Sequence, residues 1–227
     1  MDDPLGNAAR VLGYRTRHLP DARSLLELGC GSGSILAGLG ELPTLAGLDR
    51  SPQMLAAARR KVPGARLLRA DMTSFDLGER FDIVICVFDT LNHLASFGDW
   101  LAVFERVRAH LRVGGLFAFD VNTIGQLRRL GEDPPWVREL PGATVTQHVQ
   151  WLGDGRAVWH VRIAEHRRGG VVLHHERIGE LGVALARIEA ALARDFVVLE
   201  RCDDDGGEPS DESVRAYYAC AALPARA

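Results

Sequence analysis

The stretch LLELGCGSG at residues 25–33 is the most informative segment of the sequence. Its first half is a short apolar run, which is typical of a buried strand. Its second half is a turn with glycine at every second position, and glycine lets a ligand approach the backbone closely. In an open parallel sheet, such a turn lies at the carboxyl edge, where ligands bind. The segment therefore predicts a strand, a ligand-binding turn and the start of a helix.

Two carboxylates stand at informative distances from these glycines. Asp49 ends the next apolar run, about twenty residues after Gly29, where it can accept hydrogen bonds from both hydroxyls of a ribose. Glu27 is poorly placed beside a pyrophosphate and well placed beside an ammonium group. The dinucleotide pattern GxGxxG is not met, because Ser34 occupies its third position. The pattern thus favours a nucleoside cofactor with an amino-acid portion over a nicotinamide dinucleotide.

Strands and helices alternate along the first half of the chain. Strands that are apolar on both faces form a parallel sheet covered by helices, and right-handed crossovers make that sheet doubly wound. We expect Gly114 and Gly115 to end the helix that precedes the fifth strand. The predicted strands are 24–28, 44–49, 66–70, 81–88 and 116–121, and the predicted helices are 34–41, 51–62 and 99–111.

After about residue 134 the pattern changes to alternation with a period of two. Residues 144–151 and 158–166 alternate in this way, and a third run follows Gly169 and Gly170. This pattern predicts an antiparallel meander with one buried and one polar face. Val145, Val149, Trp151, Trp159, Val161 and Ile163 form the expected buried face. The remaining segments are a predicted helix at 182–194 and predicted strands at 196–199 and 214–222.

The predicted fold class is α/β, a doubly wound, seven-stranded and mostly parallel sheet with an antiparallel β insertion after the fifth strand. We expect a single domain over residues 1–227. Its predicted parts are an N-terminal helical segment (1–23), a cofactor-binding core (24–122), the insertion acting as a substrate lid (135–178), and a closing helix with the last two strands (182–222).

Composition and charge exclude several classes of protein. The 227 residues are 47% hydrophobic and 25% charged, which are ordinary globular values. The net charge of −3 gives no overall basic field, so no nucleic-acid partner is expected. No leader pattern or membrane-length apolar run is visible, so a cytoplasmic protein without a membrane partner is expected. The four cysteines fit neither a zinc nor a disulfide framework, and no metal is predicted.

Five segments taken in order resemble the class I S-adenosylmethionine-dependent methyltransferases. The resemblance covers about residues 24–122 and implies a Rossmann-like methyltransferase fold. It also implies transfer of a methyl group from S-adenosylmethionine, with S-adenosylhomocysteine as the product. The matching segments are LLELGCGSG (25–33), GLDRSPQML (47–55), ADM (70–72), FDIVICVF (81–88) and RVGGLF (112–117).

The resemblance also implies which residues hold the cofactor. Met54 and Met72 have an equally plain interpretation as core residues, and Asp71 as the N-cap of a helix. The implied contacts to the methionine portion are Glu27, Gly29, Cys30, Gly31, Gly33 and Phe88. The implied contacts to the ribose and the adenine are Asp49, Arg50, Met54, Asp71 and Met72. Tyr14, Asp89 and His93 complete the predicted set.

Two histidines are candidate catalytic bases. His93 belongs to the segment FDTLNHL (88–94) at the mouth of the predicted site, and similar segments occur in small-molecule methyltransferases, including sugar N-methyltransferases. His160 lies on the polar face of the insertion and would reach the acceptor if the insertion covers the site. The alternatives are that His93 caps a helix or is a solvated loop residue, and that His160 belongs to an ordinary polar sheet face.

We therefore expect a methyltransferase that acts on a small-molecule acceptor. Nitrogen is favoured over oxygen, because a hydroxyl acceptor usually needs a base and no strong base constellation is present. The alternatives are a protein that binds S-adenosylmethionine without methyl transfer, as a sensor or in other chemistry, and a nicotinamide dehydrogenase. A homodimer is an open alternative to a monomer.

Overall fold

The computed structural model describes residues 4–40 and 42–224. These residues form two sheets and six α-helices. The strands are β1 (Ser24–Leu28), β2 (Thr44–Asp49), β3 (Arg66–Arg69), β4 (Phe81–Cys86), β5 (Leu111–Asn122), β6 (Trp136–Leu140), β7 (Ala143–Gly153), β8 (Arg156–Arg167), β9 (Gly170–Leu181), β10 (Phe196–Cys202) and β11 (Arg215–Ala222). The helices are α1 (Pro4–His18), α2 (Ser34–Gly38), α3 (Pro52–Lys61), α4 (Phe97–His110), α5 (Ile124–Glu132) and α6 (Leu185–Leu192), with a 3-10 helix at Thr90–His93.

The larger sheet has seven strands in the order β10-β11-β5-β4-β1-β2-β3. Strands β5, β4, β1, β2 and β3 are mutually parallel, and β11 is antiparallel to both β5 and β10. The predicted seven-stranded, mostly parallel fold is therefore confirmed. Because β1 pairs with β2 on one side and β4 on the other, the strand order reverses at β1. The glycine turn that follows β1 thus lies at the switch point, where ligands bind in such sheets.

Local sequence explains where the helices around the site begin. The Ser51 side chain accepts the N–H of Met54, and Pro52 occupies the first position of α3. Ser96 and Asp99 form a capping box, so α4 begins two residues earlier than its apolar periodicity predicts. Glu41, the predicted end of α2, lies outside the described residues, as do residues 1–3 of the predicted N-terminal segment.

The predicted role of Gly114 and Gly115 is wrong. Helix α4 ends at His110, and both glycines lie within β5. The register between β4 and β5 shifts between Phe81 and Ile83, and Gly114 has a positive φ of 75° at this irregularity. The glycines therefore allow a β-bulge between β4 and β5. A pair of glycines is equally common where a helix ends, so the sequence alone did not distinguish the two roles.

The insertion forms a separate sheet of four strands in the order β6-β7-β8-β9, one more than the three predicted runs. The predicted burial of one entire face is wrong. Val149 is buried, whereas Val145, Trp151, Trp159, Val161 and Ile163 are half-buried. Among the described helices, α5 packs on this sheet against β7 and β8 and covers part of the apolar side, and the 3-10 helix at Thr90–His93 packs against β9. Within residues 4–40 and 42–224, no helix has the length and apolar character needed to cross a membrane.

Candidate active site

The glycine turn after β1 is shaped by close neighbours and by Asp49. Gly29 has a φ of 67°, and a Cβ there would lie 2.4 Å from Cγ2 of Thr90. Among the described residues, nothing lies within 4 Å of the Cβ position of Gly31, so the space beside it is open. The Gly31 N–H donates to Asp49 Oδ2 at 2.9 Å, and the Ser51 N–H donates to Asp49 Oδ1 at 2.7 Å. The turn and the carboxylate at the end of β2 are thus held together by hydrogen bonds within the protein.

A cavity of about 550 Å³, here called the glycine-loop cavity, lies over this turn. Its wall combines predicted residues with Thr90 of the 3-10 helix and Arg177, Ile178 and Gly179 of β9. The predicted cofactor residues that line it are Gly29, Gly31, Asp49, Arg50, Met54, Met72 and His93. The volume and the carboxylate of Asp49 suit a nucleoside, and β9 brings the insertion to the rim of the cavity.

Glu27 lies beneath the turn and is 3% exposed. Its carboxylate accepts the N–H of Leu36 in the first turn of α2, while Oε2 has no hydrogen-bond partner among the described residues. Burial, reinforced by the nearby Asp49, holds the pKa of Glu27 well above its usual range. A buried carboxylate with an unused oxygen is a site that a cation would stabilise. The residues present therefore fit a nucleoside cofactor that carries an ammonium group.

Three predicted residues serve as packing or turn residues beside the cavity. The Cys30 sulfur packs against Gly47, and burial raises the pKa of its thiol to about 12. Gly33 lies against Ala58 of α3 at the N-cap of α2. The Asp71 side chain accepts the N–H and the hydroxyl of Thr73, and these hydrogen bonds lower its pKa. Asp71 therefore caps a turn that ends β3 and not a helix, because no described helix begins there, and its contact with the adenine stays a prediction.

Tyr14 lies away from the glycine-loop cavity. Its ring is 3% exposed, and its neighbours are Arg10 of α1 and Cys202 and Glu200 of β10. Burial raises the pKa of Tyr14 to about 12. Because α1 packs toward β10, Tyr14 lines a different depression, at the edge of the larger sheet.

The chain after β4 turns through a corner that is held by Asp120. Phe88 and Asp89 have positive φ values of 61° and 47°, a strained conformation for residues other than glycine. The Asp120 carboxylate accepts both backbone N–H groups, from Phe88 at 2.8 Å and from Asp89 at 3.0 Å. Phe88 lies two residues beyond the end of β4, and its side chain packs with the core on the α1 side of the sheet.

Arg215 of β11 completes this corner. It is 7% exposed and donates to Asp120 and, at 2.9 Å, to Asp89 Oδ1. Burial raises the pKa of Asp120, while the Arg215 guanidinium acts in the opposite direction. A buried arginine shared by two carboxylates fixes the position of Asp89 at the mouth of the site.

A second cavity of about 460 Å³, here called the Arg215 cavity, lies on the other side of Asp89. Its wall carries aromatic rings, amides and charged groups from five separate elements and the loops between them. The lining residues are Gly6, Asn7, Arg10, Asp89, Asn122, Gln126, Leu130, Trp159, Asp204, Val214, Arg215 and Tyr217.

The two cavities meet at a group of three side chains. Asp89, His93 and Glu180 each place a nitrogen or oxygen atom within 4.8 Å of the others. Asp89 lines the Arg215 cavity and His93 lines the glycine-loop cavity, so these two residues lie at the boundary, and the buried Glu180, which lines neither cavity, lies beside them. The Nε2 atom of His93 is 3.8 Å from Asp89 Oδ2.

The segment that carries His93 is anchored by Asn92, which is fully buried. Its amide nitrogen donates to the carbonyls of Asn122 and Leu181, and its amide oxygen accepts the N–H of Asn122. Asn92 thus ties the 3-10 helix to β5 and β9 at once. The Asn122 side chain in turn donates to Glu180 Oε2 at 3.1 Å.

His160 lines neither of the two cavities. It lies on β8 in a row with His148 and His175, whose ring centroids are 6.3 and 5.7 Å away, and it borders a separate small cavity. Desolvation and the nearby Arg177 lower its pKa. The structure therefore places it on a basic sheet face, which agrees with the polar-face alternative.

Sequence reasoning missed Asp120, Asn122, Glu180 and Arg215. Asp120 and Asn122 are polar residues at the carboxyl end of β5, so the rule that identified Asp49 could have found them. Glu180 and Arg215 carry no local signal, because each reaches the site from a strand distant in sequence.

Comparisons with known proteins now identify the family. Residues 25–115 match the Methyltransferase domain family. The chain is 35% identical over 173 residues to dTDP-3-amino-3,6-dideoxy-alpha-D-glucopyranose N,N-dimethyltransferase of Streptomyces fradiae, covering 74% of this chain and 67% of that one. The chain belongs to the S-adenosylmethionine-dependent methyltransferases.

Other relatives of this methyltransferase agree. A dTDP-3-amino-3,4,6-trideoxy-alpha-D-glucopyranose N,N-dimethyltransferase of Streptomyces venezuelae is 36% identical over 102 residues, which cover 44% of this chain and 43% of the relative. The sugar N-methyltransferase KedS8 from a Streptoalloteichus species superposes with a TM-score of 0.81 at 30% identity, covering 98% of this chain and 89% of that one. A methyltransferase from Clostridium acetobutylicum, 19% identical, shares the fold with a TM-score of 0.89, covering 98% and 93%. The predictions of a methyltransferase and of S-adenosylmethionine as cofactor are confirmed.

Proposed function

We propose that this methyltransferase acts on an amino group of a small polar molecule, with nucleotide-linked amino sugars as the favoured class. The observation that carries the proposal is the boundary between the two cavities. There, two carboxylates and a histidine lie between a nucleoside-sized cavity and a cavity with polar and aromatic walls. Carboxylates at the point of transfer favour a cationic amine over a neutral hydroxyl.

The glycine-loop cavity supplies the donor side of this arrangement. S-adenosylmethionine, when bound, supplies an electrophilic methyl group on a sulfonium. Glu27 offers an unused buried carboxylate oxygen for the ammonium of the methionine portion, and Asp49 lies where a ribose would be recognised. The alignment of donor and acceptor in adjoining cavities supplies rate through proximity, which can reach about 7–11 kcal/mol at best.

The Arg215 cavity has the features of a site for a small polar molecule. Trp159 and Tyr217 contribute rings, and Asn7 and Gln126 contribute amides. The Nε1 atom of Trp159 is buried and has no hydrogen-bond partner among the described residues. A few polar groups on a partly apolar wall are typical of small-molecule sites. The activities for which the sugar N-methyltransferase relatives are named support the same class of acceptor.

Calorimetric titration with S-adenosylmethionine and S-adenosylhomocysteine tests the donor side. We expect both to bind, and Asp49→Ala to abolish or strongly weaken binding, because it removes a carboxylate that lines the cavity and holds the turn. Arg59→Ala, an exposed change on α3, is the control that should leave binding intact. Absence of binding by folded wild-type protein would refute the proposal.

Transfer of a labelled methyl group tests the acceptor side. The panel pairs nucleotide-linked amino sugars with the same sugars carrying a hydroxyl in place of the amine. We expect label only in the amino compounds. Label in the hydroxyl compounds would show an O-methyltransferase. Donor binding without label in any amine would favour a protein that binds S-adenosylmethionine without transferring its methyl group.

A further inference from the structure

Glu180 of β9 has a chemical setting that the proposed function does not yet use. We infer that Glu180 is a catalytic residue, which holds the ammonium of the acceptor and accepts its proton before methyl transfer. This inference rests on the proposed function, because it requires an amine acceptor at the boundary of the two cavities. The residue belongs to the inserted sheet and not to the cofactor-binding core.

Asp89 and Glu180 differ in whether a positively charged side chain is paired with the carboxylate. Asp89 accepts a hydrogen bond from the guanidinium of Arg215, so it already has a permanent cation beside it. Glu180 is 6% exposed, and its hydrogen bond comes from the neutral amide of Asn122. Within the described part of the chain, no arginine or lysine forms an ion pair with Glu180. A buried carboxylate without a permanent cation is the better partner for a transient ammonium.

The position of Glu180 is set before any acceptor arrives. Asn122 donates to Glu180, and Asn122 is itself tied to Asn92 through its backbone N–H and carbonyl. Asn92 also holds the carbonyl of Leu181, the residue next to Glu180. The Glu180 carboxylate is therefore held by a hydrogen bond to its side chain and by a second hydrogen bond to its strand at Leu181. Proton transfer requires a group that is positioned in this way.

The proton and electron changes balance without any further reactant. The N–H bond of the ammonium breaks, its electron pair stays on nitrogen, and the proton passes to a Glu180 oxygen. The nitrogen lone pair then forms the new bond to the methyl carbon as the carbon–sulfur bond breaks, and that electron pair goes to sulfur. The product is a methylated ammonium with S-adenosylhomocysteine. Release of the proton from Glu180 to solvent restores the carboxylate.

A binding experiment tests the inference without knowledge of the acceptor. The probe is sinefungin, an S-adenosylmethionine analogue in which an amine on carbon replaces the methylsulfonium. We divide the association constant of sinefungin by that of S-adenosylhomocysteine, which lacks the amine. A change in the cavity that weakens both ligands equally then leaves this ratio unchanged. We expect Glu180→Gln to lower this ratio roughly tenfold or more, as for the loss of one charge-assisted hydrogen bond.

Glu176→Gln is the matched control, since Glu176 is exposed and lies four residues earlier on the same side of β9. It should leave the ratio unchanged. Glu180→Asp keeps the charge and should retain more of the preference than Glu180→Gln. Thermal unfolding of each variant establishes that the protein is folded. An unchanged ratio in folded Glu180→Gln, with normal S-adenosylhomocysteine binding, overturns the role of Glu180 alone. Failure of wild-type protein to bind S-adenosylhomocysteine overturns the proposed function and this inference together.

Turnover gives a second, independent readout with dTDP-3-amino-3,6-dideoxyglucose as the probe acceptor. Loss of a general base lowers kcat by roughly 10²–10⁴-fold. We expect the rate of Glu180→Gln to rise with pH more steeply than that of wild type, because the amine must then lose its proton to solvent. A parallel pH profile at reduced rate would indicate a purely structural role and contradict the inference.

Discussion

The two sheets of this protein differ in what holds them together. In the seven-stranded sheet, β1 and β4 have almost every side chain buried, because helices cover both faces. In the four-stranded sheet, the buried side chains are Val149, Ala157 and Glu180. The first sheet is stabilised mainly by its core, and the second mainly by its hydrogen-bonded ladders. The two sheets meet beside Asp89 and His93, where the densely packed sheet carries the predicted cofactor residues and the lightly packed sheet brings Glu180.

The sharpest test of this comparison uses two arginines that form ion pairs, one buried and one exposed. Arg215→Met removes the guanidinium from two carboxylates in the interior, and we expect the free energy of unfolding to fall by about 3–5 kcal/mol. Arg167→Met removes the exposed partner of Glu165 in the four-stranded sheet and should not measurably change stability. Urea unfolding of both variants checks this. Equal losses would show that the second sheet depends on its ion pairs as much as the first.

A pair of leucines tests the packing difference. Leu25 on β1 is fully buried, and Leu25→Ala should cost about 2–5 kcal/mol because it leaves a cavity. Leu173 on β9 is 78% exposed, and Leu173→Ala should stay within about 0.5 kcal/mol of wild type. The measurement is again urea unfolding. A large loss at Leu173 would mean that this face is covered in solution, as the open alternative of a homodimer allows.

The smallest expected effect concerns His160. Its pKa is lowered by desolvation and by Arg177, His175, His148 and Arg162, which face it across β7, β8 and β9. The folded state therefore binds fewer protons than the unfolded chain, and stability falls as pH drops through the ordinary value of about 6.5.

We expect the melting temperature of His160→Gln to fall less than that of wild type between about pH 7.5 and 5.5. Added salt should reduce the difference between the two proteins, because the charged side chains around His160 are exposed and salt screens their repulsion. If the melting temperatures of the two proteins depend on pH in the same way, His160 does not contribute to the loss of stability at low pH.

The predictable part of the site was the part encoded by short-range sequence. The glycine turn, Asp49 and the residues after β3 and β4 each follow a strand, and parallel strands bring their carboxyl ends together. The unpredicted part depends on elements far apart in the chain. Arg215 reaches Asp89 from β11, and Glu180 reaches His93 from β9, with no local pattern to mark either residue.

The insertion shows why burial was harder to predict than strand alternation. The period-two pattern identified β7 and β8, because alternation follows from the pleat of a single strand. Whether the apolar side is covered depends on the placement of α5, which is a contact between elements. The role of Gly114 and Gly115 was mistaken for the same reason, since a glycine pair serves a bulge and a helix stop equally well.

The sequence by itself predicted the doubly wound sheet and S-adenosylmethionine as the cofactor, because strand period, turn chemistry and motif order are local properties. The tertiary structure alone decided which polar groups line the Arg215 cavity, where Tyr14 and His160 lie, and how Asp120 and Arg215 hold the strained corner at Phe88 and Asp89. Those contacts join residues widely separated in the chain. Their existence depends on how the two sheets pack, which no short stretch of sequence records.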